Sequence, residues 1–337
     1  MANETTSVSQ TALIATEKIA DGAILANLPK HVFNNLLHGD SIDGAGTNKK
    51  NYAVENDLGA AAGGTEGVDV APTVELGMGT TVEVTPTRGV DDMALITLET
   101  AQRRLGGMPY RSVLELFQSE DEARLTAVLG PDIRRLVARA MQKVEADALA
   151  LLSGISNTVG SSGSDVTVTN LLTSIYTLKT QQPHRPPSEW GFVLWPNQVL
   201  EIDLEAAVTG GGLGGALWNT QADFGLLNRP EGDPANGFVG TFLRYGVWEP
   251  DHELRITANA GADVVGALMC LSDPGTPPDA PQNGGKVAFG VMLEGYPLTF
   301  SFEYDASMGG IEAVDRASYA HAELADPNAV GIVTDAP

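Results

Sequence analysis

The sequence predicts an α+β fold, and three observations carry that expectation. One long amphipathic helix stands out before the middle of the chain. Many short apolar runs of strand length surround it, separated by turn residues. The 38 glycines and 19 prolines are spread widely, which points to long loops and hairpins rather than one low-complexity tail. At 337 residues with 43% hydrophobic composition, the chain can bury one large core or two ordinary ones.

From the N-terminus, residues 10–28 place apolar side chains at Leu13, Ile14, Ile19, Ile24, Leu25 and Leu28, a helical stripe stopped by Pro29. It has no evident partner, so packing on another subunit and docking on its own domain both stay open. Residues 39–89 differ in kind. Tyr52 and Val54 alternate before a Gly/Ala-rich centre, and Val82 and Val84 alternate after it, with Thr81 and Glu83 facing the other way. Period-two alternation around a glycine-rich tip predicts a long two-stranded ribbon. Such a hairpin is marginal alone in water, so it must lie against something, and a neighbouring subunit is the expected surface.

A short strand is expected at Ala94–Thr97. The long helix follows over 131–153, with Pro131 at its first position and Asp132 at the positive end of its dipole. Ile133, Leu136, Val137, Ala140, Met141, Val144, Ala148 and Leu151 form one buried stripe; Arg134, Arg135, Arg139, Lys143, Glu145 and Asp147 occupy other faces. Gly154 ends it. Helices are then expected at Val168–Thr180 and Asn197–Val208, with a strand at Trp190–Leu194 between them. Strands follow near Phe238–Val247, Glu253–Thr257, Val264–Leu271, Lys286–Leu293, Leu298–Tyr304, Ile311–Leu324 and Val330–Val333.

Composition excludes several functions. Lysine plus arginine total 20 against 43 aspartate plus glutamate, a formal charge of −23 and a pI near 4.4. A surface that grips nucleic-acid phosphates or anionic membranes needs clustered positive charge instead. The single cysteine, Cys270, rules out an internal disulfide and lies in an apolar run, where a buried inert thiol is expected. The opening MANETTSVSQ is polar and starts no export signal, and no run approaches the roughly 18 apolar residues of a membrane span.

No motif nominates chemistry. Gly210, Gly212 and Gly215 match dinucleotide-binding spacing, but a helix precedes them and no clean helix follows, so a loop is expected. His31, His38, His184, His252 and His321 are too scattered to make a helical pair of metal ligands. Neither a nucleophile elbow nor a phosphate-binding loop is present. The basic cluster Arg134, Arg135, Arg139 and Lys143 has two readings, local pairing with acids such as Asp132 and Glu145 or contact with DNA, and local pairing is favoured.

The order of elements resembles the HK97-like major capsid protein family of tailed double-stranded-DNA viruses. Residues 139–154, RAMQKVEADALALLSG, are similar to that family's spine-helix ending, and residues 318–335, SYAHAELADPNAVGIVTD, are similar to its closing segment. The resemblance runs from Ala12 to Thr334. It implies an N-terminal arm at 1–47 and an extended E-loop at 48–89, in which Tyr52, Val54, Val82 and Val84 meet a neighbouring subunit. A peripheral domain would take 90–166 and 300–324, with spine-helix core residues Ile133, Leu136, Val137, Ala140 and Val144. An axial domain would take 167–299 and 325–337, with Gly210, Gly212, Gly215 and Trp218 in a loop near the capsomer axis.

The resemblance further implies a non-enzymatic shell subunit without catalytic site, cofactor, metal or membrane contact, located in the virion capsid and assembled in the host cytoplasm. Its partners would be copies of itself in hexamers and pentamers, a portal, a decoration protein and double-stranded DNA enclosed without specific binding. Some relatives carry a long scaffold region before the arm, so its absence here implies a separate scaffolding protein or earlier removal. Lys49 and Lys50 at the ribbon base leave covalent cross-linking open. An encapsulin-type nanocompartment shell is the nearest alternative. An acidic extracellular β-rich hydrolase or adhesin is a second, disfavoured by the missing export signal and catalytic constellation.

Overall fold

In the computed structural model the apolar stripe centred on Leu136 lies on helix α1, Glu122–Leu149, followed by a 3-10 turn at Ala150–Gly154. The structure describes residues 18–24, 32–42, 48–53, 81–97, 100, 103–104, 106–107, 122–181, 190–208, 218–220, 237–250, 263–271, 288–305 and 310–335. Two compact units emerge: residues 1–29, 86–144 and 295–319 form one, and residues 30–85, 145–294 and 320–337 form the other.

In the first unit, α1 starts earlier than its punctuation suggests. Pro131 sits inside the helix rather than opening it. An internal proline removes one backbone donor and crowds the preceding turn, which frees carbonyls there. Arg104 braces this turn, donating to the Val128 carbonyl and, at 2.6 and 3.1 Å, to both Asp132 carboxylate oxygens. Ile133, Leu136, Val137 and Ala140 are buried along with Leu125, Val128 and Leu129; Val144 is half-buried. The helical segment at 18–24 buries Ile19, Ala20 and Ala23 within its own chain, which decides the open question for this part of the arm.

The second unit is built on a seven-stranded sheet. In chain order the strands are β1 His38–Ser41, β2 Lys50–Ala53, β3 Thr81–Val84, β4 Thr87–Thr97, β5 Thr158–Gly160, β6 Trp190–Val193, β7 Trp218–Thr220, β8 Phe238–Phe242, β9 Tyr245–Trp248, β10 Asp263–Cys270, β11 Gly290–Asp305, β12 Gly310–Glu323 and β13 Ala329–Asp335. The seven-stranded order is β5-β13-β10-β6-β9-β8-β7, and a four-stranded ladder runs β1-β11-β12-β4. Three pairings are parallel, β1 with β11, β5 with β13 and β6 with β9. Antiparallel registers join β10 to β13 and β6, β12 to β4, β2 to β3, and β8 to β7 and β9.

Alternation on β6 sends its side chains into two cores. Trp190 and Phe192 join helices α2, Val168–Gln181, and α3, Pro196–Val208, on one face; Cys270 lies there too, 2% exposed. Val193 joins the turn at Val32–Leu37, the end of α1 and the 3-10 turn on the other. A Cβ on either of the register partners Gly191 and Gly246 would stand 2.4 Å from the Trp248 ring, so both glycines seat that indole. Proline at the first position starts α3, and Gln198 reaches back to accept the Trp195 N–H at 3.1 Å while donating to the Ile332 carbonyl and Thr334.

Several boundaries differ from expectation. The strand expected at Ala94–Thr97 extends back to Thr87, with a register shift at Ala317/Ser318 on its partner. The run Phe238–Val247 is a hairpin, because Leu243 takes φ 57° between β8 and β9. Lys286–Leu293 and Leu298–Tyr304 are not two strands: β11 runs unbroken over Gly290–Asp305. Gly295, within β11, marks a close approach, since a Cβ there would lie 2.5 Å from Ser318 Oγ. The expected domain boundary at 166/167 falls inside the second unit, where Ala146, Leu149, Leu152, Ile155 and Val166 are buried and β5 pairs with β13. The expected strand at Glu253–Thr257 lies outside the described residues.

Glu145 overturns its assignment to an outer face. It is fully buried, accepting the Phe33 N–H at 2.6 Å and the Asn34 N–H at 3.1 Å, and so ties the turn at Val32–Leu37 to the end of α1. Burial raises its carboxyl to about 7 although both N–H donors pull the other way. Nearby His321 meets Asn34 Oδ1 at 2.9 Å, and burial lowers its imidazole to about 4 against the opposing pull of Asp147.

The sign of the Glu145 contribution follows. The unfolded chain releases this proton near the ordinary value of 4.5 and the folded chain near 7. Stability from this group is therefore full below about pH 4.5 and is lost as pH rises through 7. His321 acts oppositely, its contribution being lost as pH falls from 6.5 through 4. Comparing Glu145→Gln with the parent isolates the first effect. The variant's relative stability should rise between pH 5 and 8 by on the order of 2 kcal/mol, read from denaturant titrations. A pH-independent difference would show that Glu145 titrates as an ordinary carboxyl.

Candidate assembly surfaces

The ribbon begins as a short ladder in which Lys50 faces Val84 and Tyr52 faces Val82. Tyr52 and Val84 are 1% and 3% exposed, packed with Val291, Leu293, Leu324 and Ala325 of the same chain. Val82 is partly buried against this cluster, and Val54 lies outside the described residues. The expectation that these side chains face a neighbour is corrected for Tyr52 and Val84: their own subunit already covers them.

Asp40 on β1 pins the ribbon base. Its carboxylate accepts the Tyr52 hydroxyl at 3.0 Å and the Lys50 ammonium, while the Ser41 N–H donates at 2.8 Å. Burial pushes the Asp40 carboxyl up, but these donors and the Lys50 charge outweigh it and hold the pKa below the usual value. Lys49 pairs with Glu83 at 2.7 Å across the ladder. Both lysines are thus engaged in holding β2 to its own subunit. Nothing in the spacing of the sequence singled out Asp40.

A second surface lies on the helical layer. Glu201 and Glu205, one turn apart on α3, accept the Val166 and Val168 N–H groups at 2.7 and 2.8 Å. They satisfy donors at the start of α2 that no intrahelical carbonyl can reach, which locks the two helices together. The outer faces expose Leu172 and Tyr176 on α2 and Leu200 and Leu204 on α3. Among the described residues, no group of three or more His, Cys, Asp or Glu is placed to hold a metal, and no helix is long and apolar enough to cross a membrane.

No protein-family model matches the sequence, and a search of curated proteins returns no match. Solved structures do match. The chain is similar to a phage-related protein from Bordetella bronchiseptica, with 10% identity, 96% of each chain covered and a TM-score of 0.53. It is similar to the capsid of Ralstonia phage GP4, with 12% identity, 89% of this chain and 86% of that chain covered and a TM-score of 0.53. It is similar as well to a holo encapsulin complex from Synechococcus elongatus, with 13% identity, 99% and 92% covered and a TM-score of 0.51. The chain has the HK97-like capsid fold.

Within this HK97-like fold, α1 is the long helix that sequence periodicity located. Arg134, Arg135, Arg139 and Lys143 are all exposed on it. Arg135 reaches Asp132 at 4.0 Å, a distance that leaves this cation largely in solvent. Glu145, the other expected acid partner, is spent on backbone donors instead. Gly210, Gly212 and Gly215 lie outside the described residues, and of Trp218 only its backbone is described, at the start of edge strand β7 paired with β8.

Proposed function

We propose that the protein is a non-enzymatic major capsid protein that assembles with itself into the hexamers and pentamers of an icosahedral shell around double-stranded DNA. The observation that supports this most is the end-to-end likeness to the Ralstonia phage GP4 capsid, which spans 89% of the chain. In this reading residues 48–89 are the E-loop, α1 is the spine helix, and the seven-stranded sheet with α2 and α3 belongs to the axial domain. A portal and a separate scaffolding protein, unless a scaffold region is removed beforehand, are the partners this reading calls for, and a decoration protein is an optional one. A nanocompartment shell is the second reading, favoured by the encapsulin likeness over 99% of the chain. An E-loop over residues 48–89, as the sequence leads one to expect, suits the viral shell better. Particles isolated from the source that makes the protein test this: nuclease-protected double-stranded DNA supports the capsid, and a cargo protein without nucleic acid supports the nanocompartment.

Charge gives a further expected result. Each subunit carries −23, so shell closure works against repulsion that salt relieves. The screening length falls from about 30 Å at 0.01 M to about 10 Å at 0.1 M. Light scattering should therefore show assembly improving across that range, while duplex DNA binds weakly. Tight DNA binding that weakens steeply with salt would contradict a passive container and point to Arg134, Arg135, Arg139 and Lys143.

A further inference from the structure

Leu172 and Tyr176 are 40% and 69% exposed on α2, and Leu200 and Leu204 are 57% and 54% exposed on α3. Each pair is spaced by four residues and so stands on one helix face, one turn apart. Isolated exposed apolar residues are ordinary, but two such pairs, one on each of two helices that bury their other faces in a shared core, leave two apolar faces in water that a partner can cover.

The two faces also differ in charge. Helix α2, VTNLLTSIYTLKTQ, has no acid and carries Lys179 in its last turn. Helix α3, PNQVLEIDLEAAV, carries Glu201, Asp203 and Glu205 and no basic residue. In a chain of net charge −23, an acid-free helix face is where another copy can approach without repulsion. Of these carboxylates Glu201 and Glu205 accept the Val166 and Val168 N–H groups of their own subunit. Bringing α3 against α3 would still put two acidic helices together, whereas α2 against α3 pairs a helix whose one charged residue is Lys179 with an acidic helix and joins the two apolar pairs.

We propose that the α2 face of one subunit docks on the α3 face of a second copy of this chain. Such a contact is head-to-tail, so it repeats from copy to copy and closes into a ring when the rotation permits. The inference rests on the shell reading and names the surface through which one ring forms.

Two double variants test it, Leu172→Ser with Tyr176→Ser on α2, and Leu200→Ser with Leu204→Ser on α3. All four side chains are exposed, so each variant should keep the parent's circular dichroism and melting temperature. In sedimentation each alone should stay monomeric at concentrations where the parent assembles, its threshold raised by ~10-fold or more, or ~1.4 kcal/mol per contact. Mixed in equal amounts they should form dimers and stop, because one intact α2 then meets one intact α3. Lys179→Glu should weaken assembly and Lys179→Arg should not. Assembly of either double variant like the parent would overturn the docking while leaving the shell reading intact. Dimers formed by either variant alone would show like-on-like docking and overturn it too. A parent that never assembles would instead defeat the shell reading, and this inference with it.

Discussion

Leu136→Asp leaves the subunit unable to fold. Leu136 is 1% exposed on α1, with Ile133 and Ala140 buried one turn to either side. An unpaired carboxylate there costs several kcal/mol, against a total stability of about 5–15 kcal/mol for an ordinary domain. Glu145 shows what a buried carboxylate on the same helix requires, namely two backbone N–H donors aimed at it. The expected outcome is insoluble protein, or a chain without a cooperative melting transition. A variant that melts like the parent would show that the Leu136 stripe is not core.

Removing residues 59–70 has the opposite pattern: the subunit folds and closed shells do not form. The ribbon base is fixed by Tyr52 and Val84 in the subunit's own core and by Asp40 through Tyr52 and Lys50, and the deletion leaves all of these in place. Under the shell reading, contact with a neighbour falls to the expected E-loop and not to this base. Circular dichroism should match the parent while sedimentation shows only monomers or capsomers. Normal shells would remove the ribbon from the assembly mechanism.

Much of the fold was legible because burial imposes periodicity. The α1 stripe, the two shorter helices and most strands announce themselves through spacing of apolar residues. What was not legible has physical causes. Leu243 makes the β8–β9 turn at a φ of 57° without the glycine or asparagine that usually marks such turns, so the hairpin read as one strand. Pro131 reads as a helix start, yet α1 runs through it, with Arg104 bonded to the Val128 carbonyl and to Asp132 in the same turn. Glu145 reads as a surface acid because its partners, the Phe33 and Asn34 N–H groups, lie more than a hundred residues away in sequence.

The candidate surfaces were legible only in part. Alternation at Tyr52, Val82 and Val84 indicated paired strands, and a four-residue ladder is present at Lys50–Ala53 and Thr81–Val84, but alternation states that one face is buried and not by which chain buries it. Leu172, Tyr176, Leu200 and Leu204 lie on helices whose ranges the sequence located, and the structure leaves them in water. Apolar spacing alone cannot separate the inside of a subunit from the contact between subunits.

The central claim is that this 35.3 kDa chain builds a shell from copies of itself. Negative-stain electron microscopy of the purified protein, at raised protein concentration and at 0.1 M salt or above, tests it most directly. Closed shells or rings of five and six subunits are the predicted result, and a field of single subunits under every such condition would contradict it.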